Sequence, residues 1–173
     1  MTSKKTLILE AALELFSTKG FSATTTRDIS NTAGVSEGLI FRHFINKEGL
    51  FQALVEKNDF LDNILFKPIL ELEHPKVFLK QVLSIPFQLK GEQLSLWRMI
   101  YSQQWYRDDF FQKSMLPIKE KIKKVFKNLN HEDSDAEAQT FFLILDGIIS
   151  SVLMLGAAKT FPVFVNILRK FNL

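Results

Sequence analysis

Apolar residues recur every three or four positions along most of this chain, the spacing that turns one face of a helix toward a core. Over 3–19, Leu7, Ile8, Ala11, Ala12, Leu15 and Phe16 share a stripe, closed by Gly20, with Phe21 placed to fold back on Phe16. Over 47–66, Leu50, Phe51, Leu54, Phe60, Leu61, Ile64 and Leu65 keep the same period until Pro68. Further helices are predicted over about 75–89, 92–106, 108–129, 134–158 and 161–171. Pro86 and Pro117 fall inside two of these and are expected to kink or split them. No alternating strand pattern with a hairpin dipeptide, internal repeat or low-complexity tract interrupts the series. The pattern therefore predicts an all-α protein.

Residues 24–50, TTTRDISNTAGVSEGLIFRHFINKEGL, break this rhythm into short pieces. Thr25 suits the N-cap of a short helix, with Asp28 three residues on as its capping-box partner and its charge near the positive helix end. Ile29 and Ala33 are spaced to face inward, and Gly34 supplies the left-handed geometry of a sharp exit. Val35 then fills the gap between helices while Ser36 is expected to cap the next one, Glu37 to Phe44. Asn46 is expected to cap a third, whose first-turn amides together with Lys47 form a site for a phosphate oxygen. Two short helices about a glycine turn are the layout that places a helix in the DNA major groove.

These residues resemble the tetracycline-repressor (TetR) family of transcriptional regulators. The matching pattern is Gly20 and Phe21, Thr24 and Thr25, Ile29, Ala33 to Ser36, Gly38, Phe41, His43 and Phe44, Lys47 and Glu48. Many positions match at fixed spacing over roughly the first 55 residues; the rest agrees only as an all-helical pattern of compatible length. Two positions depart from the family. Ser30 stands where Ala is usual, and Phe41 where Tyr is common. Without the hydroxyl that reaches a DNA phosphate, Phe41 is expected to contribute packing or a thymine-methyl contact.

The resemblance implies an N-terminal three-helix DNA-binding domain over 3–63, its helix-turn-helix proper at about 26–45. A long helix joins it to a helical effector-binding and dimerisation domain over 64–173. It implies DNA contacts from Thr25, Thr26 and Arg27 on the first short helix, and from Ser36, Glu37, Gly38, Leu39, Phe41, Arg42 and His43 on the second, with Lys47 holding phosphate. Arg27 and Glu37 are the candidates for base edges; Arg42, His43 and Lys47 are those for backbone positioning. Each has a plainer alternative: Arg27 paired with a carboxylate, Glu37 favouring its helix N-terminus, His43 in a packed groove. A dimer would set two recognition helices about 34–36 Å apart on a palindromic operator. A small apolar or aromatic ligand would release a repressor by favouring another spacing, the helix beginning at Asn46 acting as the lever.

Charge does not carry the DNA expectation. Through residue 60, Lys4, Lys5, Lys19, Arg27, Arg42, Lys47 and Lys57 are balanced by Glu10, Glu14, Asp28, Glu37, Glu48, Glu56 and Asp59. The formal net charge of +3 comes from later lysines, notably Lys119, Lys121, Lys123, Lys124 and Lys127, which read as a solvated helix face. The absence of cysteine excludes disulfides, thiolate metal sites and thiol nucleophiles. Lys4 and Lys5 precede apolar residues, but Glu10 and Glu14 interrupt what would be a signal-peptide core, so a cytoplasmic location is expected. The run Phe141–Ala158 has the minimum length of a membrane span, yet it carries Asp146 and follows an acidic flank. A helix buried between protein surfaces is expected instead.

That helix is apolar around much of its circumference, so it needs more than one partner. In the resembled family the last two helices pack with their two-fold mates. This places a homodimer interface at Phe142, Leu145, Ile149, Val152, Leu153, Phe164 and Leu168, with Gly147, Ser150, Ser151 and Gly156 allowing close approach. Packing within the monomer alone is the alternative. Trp97, Arg98, Tyr101, Gln104 and Trp105 form an aromatic and polar cluster that can line a ligand cavity or simply pack as core.

Other function classes fit less well. Asp108, Asp109, Glu132, Asp133 and Asp135 sit at helix starts, where acidic residues are expected structurally, so no enzyme constellation stands out. His74 and His131 lie in loops without ligand spacing; neither a metal nor another cofactor is expected. A helical protein–protein module without sequence-specific DNA binding is the stronger rival. It would lack the salt-sensitive DNA affinity of a repressor.

Overall fold

The computed structural model describes residues 3–57, 66–101, 109–129 and 133–173, with the side chains of 57 and 109–114 outside the description. The described elements are α1 (Lys4–Lys19), α2 (Thr26–Ala33), α3 (Glu37–Phe44), α4 (Lys47–Lys57), α5 (Lys67–Leu70), α6 (Pro75–Gln88), α7 (Glu92–Tyr101), α8 (Asp109–Asn128), α9 (Ser134–Leu155) and α10 (Ala157–Lys170). The helix expected over 47–66 is described only to Lys57, and the continuation over 58–65 lies outside the described residues.

The chain forms two compact units that interleave along the sequence. One comprises Met1–Asp59 with Lys90–Tyr106, the other Phe60–Leu89 with Arg107–Leu173. In the first, α1 packs against α2 and α4 on one side and against α7 on another. Its sequence shows why: Ile8, Leu9, Ala11, Ala12, Leu13, Leu15 and Phe16 are all buried, a set too wide for one stripe. Leu7, expected on the inward stripe, is instead partly exposed. Phe16, Phe21 and Phe51 meet with ring centroids 5.0–6.2 Å apart, joining the α1–α2 loop to α4. Leu96, Trp97, Met99 and Ile100 bury the face of α7.

In the second unit, α9 is the central helix and packs against α6, α8 and α10. Its buried residues Ala138, Phe141, Leu145, Ile148, Ile149 and Val152 recur at helical spacing. By length and composition α9 is apolar enough to cross a membrane, but this face is occupied by protein. The helix ends at Gly156, whose φ of 90° turns the chain directly into α10 rather than near residue 158. Asp133 caps α9 by accepting the Ala136 amide at 2.9 Å. Pro86 and Pro117 do not split their helices, and Pro68 sits in the first turn of α5, where no amide partner is lost. Lys121 joins α8 to the end of α5: its Nζ donates to the Leu70 and Leu72 carbonyls at 2.6 Å each and lies 4.8 Å from the Phe78 ring centroid.

Candidate nucleic-acid interface

The capping chemistry at the start of α2 is complete. The Thr25 hydroxyl oxygen accepts the Asp28 amide at 3.0 Å, and the Thr25 amide donates to Asp28 Oδ2 at 3.0 Å. The hydroxyl also donates to Oδ2 at 2.8 Å. The Thr25 amide foremost, then its hydroxyl and the more distant Lys19 charge, hold the Asp28 carboxyl below its ordinary value of 3.8. At the other end of α2, Gly34 adopts φ 63° and ψ 38°, its amide donates to Asn31, and the Val35 amide donates to Ser30 at 3.0 Å. This paired closure sets the sharp exit toward α3. Ser30, the departure from Ala, is buried but satisfied: its hydroxyl donates to the Arg27 carbonyl at 2.9 Å.

Helix α3 differs from expectation at both ends. Ser36 precedes it with extended backbone but makes no side-chain cap, leaving an exposed hydroxyl. Beyond its last residue, Ile45 has φ 66° and ψ −50°, and the Asn46 amide donates to the Phe44 carbonyl at 2.7 Å. This is a γ-turn with its central residue in a region that a β-branched side chain strongly resists. Asn46 caps α4 as expected, accepting the Gly49 amide at 2.7 Å. The tightness of this turn dictates Gly49, because a Cβ there would collide with the Phe44 carbonyl oxygen.

Lys47, expected to hold phosphate, is engaged within its own domain. Its Nζ donates to the carbonyls of Phe21 at 2.8 Å and Thr24 at 2.9 Å, and lies 4.3 Å from the Phe21 ring centroid. The ammonium is therefore tied to the α1–α2 loop. Thr24, which sequence reasoning treated only as part of a motif, is fully buried at the centre of this joint. Its hydroxyl faces the Gly20 and Leu15 carbonyls, at 2.8 and 3.3 Å. No local signal links Lys47 to a loop more than twenty positions earlier.

Among the other expected DNA contacts, Thr26 and Glu37 are brought together: the Thr26 hydroxyl donates to Glu37 Oε1, tying the starts of α2 and α3. Both are half-buried. Arg27, Arg42 and His43 are exposed on the same two helices, and neither arginine has an ion-pair partner among the described residues. Gly38 has open space around it, Leu39 is half-buried, and Phe41 is 46% exposed. Ile40 and Phe44 form the inward side of α3.

The other predicted sites are placed less coherently. Trp97 is buried in the first unit and stacks on Tyr101 at 5.9 Å; Arg98 is exposed. Gln104 and Trp105 lie outside the described residues, as does His131. Of the expected dimer residues, Leu145, Ile149, Val152 and Phe164 face the interior of their own unit, because α9 and α10 need that face to close on α6 and α8. Phe142, Leu153 and Leu168 are half-buried. The exposed apolar residues of these helices are instead Leu143, Met154, Leu155, Phe161 and Val163.

Two short helices closed about a left-handed glycine, with α1 and α4 packed behind them, define a helix-turn-helix domain of the three-helix DNA-binding class. This chain matches, over residues 8–54, the family described as bacterial regulatory proteins, tetR family, so the likeness rests on the helix-turn-helix domain. It is 39% identical over 89 residues to an uncharacterized HTH-type transcriptional regulator, YvkB, of Bacillus subtilis, a match covering 42% of this chain and 47% of that protein. The chain thus matches about half the length of that relative. Among solved structures, the ketosteroid transcriptional regulator KstR2 of Mycobacterium tuberculosis shares the fold with a TM-score of 0.69 at 19% identity, over 96% of this chain and 95% of that one. The transcriptional regulator FadR from Bacillus subtilis, in complex with stearoyl-CoA, superposes with a TM-score of 0.66 at 21% identity, covering 91% and 94%.

Proposed function

We propose that this chain is a sequence-specific DNA-binding transcriptional regulator, a repressor that binds a palindromic operator as a homodimer and leaves it when a small apolar ligand binds. The carrying observation is the outward surface of α2 and α3. Arg27, Arg42 and His43 are exposed there, while Ile29, Ile40 and Phe44 anchor both helices from behind. Arg27 serves base-edge readout; Arg42, His43 and the first-turn amides of α4 position the phosphates. Glu37 and Thr26 act first on each other and orient the two helix starts.

The same reading assigns DNA binding to about 3–63, and effector binding and dimerisation to 64–173. Helix α7 qualifies this division: although late in sequence, it packs on α1, and this supports a coupling role for it. A ligand that binds one arrangement of α7 better than another would bias α1, and with it α2 and α3. The stearoyl-CoA of the FadR structure makes an apolar effector a reasonable class to test here. Self-association would use the outward faces of α9 and α10, where Leu143, Gly147, Ser150 and Met154 share a stripe, rather than the buried Leu145, Ile149, Val152 and Phe164. The helix from Asn46 is the lever in this scheme.

Selection of bound sequences from a random duplex pool tests the proposal. A palindrome should be enriched, with affinity falling steeply as salt rises. Recovery without enrichment, or binding indifferent to salt, would instead favour a helical protein-binding module.

A further inference from the structure

Taking the DNA-binding reading as its basis, we infer that the recognition helix α3 reads its operator mainly through thymine methyl groups, with Phe41 and Ile45 as the specificity-determining residues. The exposed charged and polar side chains late in this helix, Arg42 and His43, are assigned above to the phosphates. Glu37, the acidic residue of its first turn, is half-buried and accepts the Thr26 hydroxyl. Gly38 contributes no side chain and faces open space. Phe41 follows Gly38 on the same side at helical spacing, and Ile45 comes just past the helix end, in the γ-turn.

These are the two most exposed large apolar residues described in their unit, at 46% and 82%. Burial therefore does not explain either. Ile45 is also the residue held at φ 66° in the γ-turn, a conformation glycine would adopt without strain. A β-branched side chain kept exposed on a strained backbone is destabilising by itself and calls for a compensating contact. The major groove offers one apolar feature at base edges, the C5-methyl of thymine. Phe41 has no hydroxyl for a phosphate, so its exposed ring matches that feature rather than the backbone. Gly38 lets the helix approach closely, and the adjacent exposed Arg42 supplies the charge that the apolar strip lacks. The operator half-site accordingly carries thymines opposite the strip.

The test takes the duplex enriched from a random pool and replaces its thymines one at a time by deoxyuridine, which removes only the methyl. Each contacted position should lose about fourfold in affinity, the value of one buried methylene-sized group. Phe41→Ala should bind the thymine duplex more weakly and lose the difference between thymine and uracil at its position. Ile45→Gly, which keeps the turn and removes the side chain, should do so at a second position. Circular dichroism of each variant checks that it is folded. Wild-type binding indifferent to every thymine-to-uracil replacement would overturn the inference and leave the regulator reading standing. A difference that persists unchanged in both variants would also overturn it. Absence of any salt-sensitive duplex binding by the wild-type chain would overturn the regulator reading itself, and this inference with it.

Discussion

Replacing Lys47 by Met removes the ammonium while keeping most of the aliphatic stem, and it separates a structural joint from a phosphate contact. The ammonium makes two hydrogen bonds to carbonyls, at 2.8 and 2.9 Å, and one approach to the Phe21 ring at 4.3 Å. Hydrogen bonds from a charged donor contribute about 1.5–3 kcal/mol each, and a partly exposed cation over a ring about 0.5–1 kcal/mol. Releasing the ordered side chain returns about 2 kcal/mol of rotamer entropy. The Phe21 carbonyl keeps a second partner in the Thr24 amide, which softens the loss. The net expectation is a destabilisation of about 2–4 kcal/mol, confined to the helix-turn-helix unit. Denaturant unfolding followed by circular dichroism should show a lower midpoint for Lys47→Met. The salt dependence of operator binding should keep its slope even though affinity falls. An unchanged midpoint with a slope shallower by about one ion would show that Lys47 grips phosphate instead.

Three further outcomes follow from the same geometry. Gly49→Ala drives a Cβ against the Phe44 carbonyl oxygen, and an overpacked backbone contact should cost about 1–3 kcal/mol in unfolding free energy; an unaltered midpoint would mean the turn relaxes freely. Asp28 titrates below its ordinary value in the folded protein, so its ionised form contributes stability above pH 3.8, and that contribution disappears as pH falls through the lower folded value. The stability difference between wild type and Asp28→Ala should therefore be steady near neutrality and shrink below about pH 4; a difference that grows on acidification would contradict the sign. Met154, 83% exposed, tolerates Met154→Glu within one subunit, so sedimentation should show a folded monomer if the outward face of α9 pairs with a second copy. A dimer of unchanged affinity would place the interface elsewhere.

The local features of the candidate interface were readable from the chain because their partners lie within a few residues. Thr25 and Asp28 are three apart, Gly34 closes a helix on carbonyls three and four residues earlier, and Asn46 caps the amide of Gly49. Propensity and capping chemistry operate at this range. Ser36 shows the limit of residue type alone: in a suitable backbone it makes no side-chain cap, and where Thr25 has Asp28 three residues on to complete a capping box, Ser36 has Leu39. Nor does Ile45 announce its left-handed turn, since a β-branched residue is among the least expected at positive φ.

Periodicity located the apolar helices but left open which neighbour each face would meet. Several sides of α1 and α9 are apolar, and only assembly assigned one side of α1 to α7 and drew Leu145, Ile149, Val152 and Phe164 inward. Trp97, which the sequence left between a cavity wall and core, is buried in the same assembly. By itself, then, the chain determined its helical character, the capped turn between α2 and α3 and the kind of surface that turn presents. These depend on bonds and side-chain spacing within one or two helical turns. Tertiary structure alone decided that Lys47 is a joint, that Thr26 restrains Glu37, and that Phe41 and Ile45 remain outside. A hydrogen bond across twenty positions, or the exposure of one side chain among many apolar ones, depends on which surfaces have already found each other.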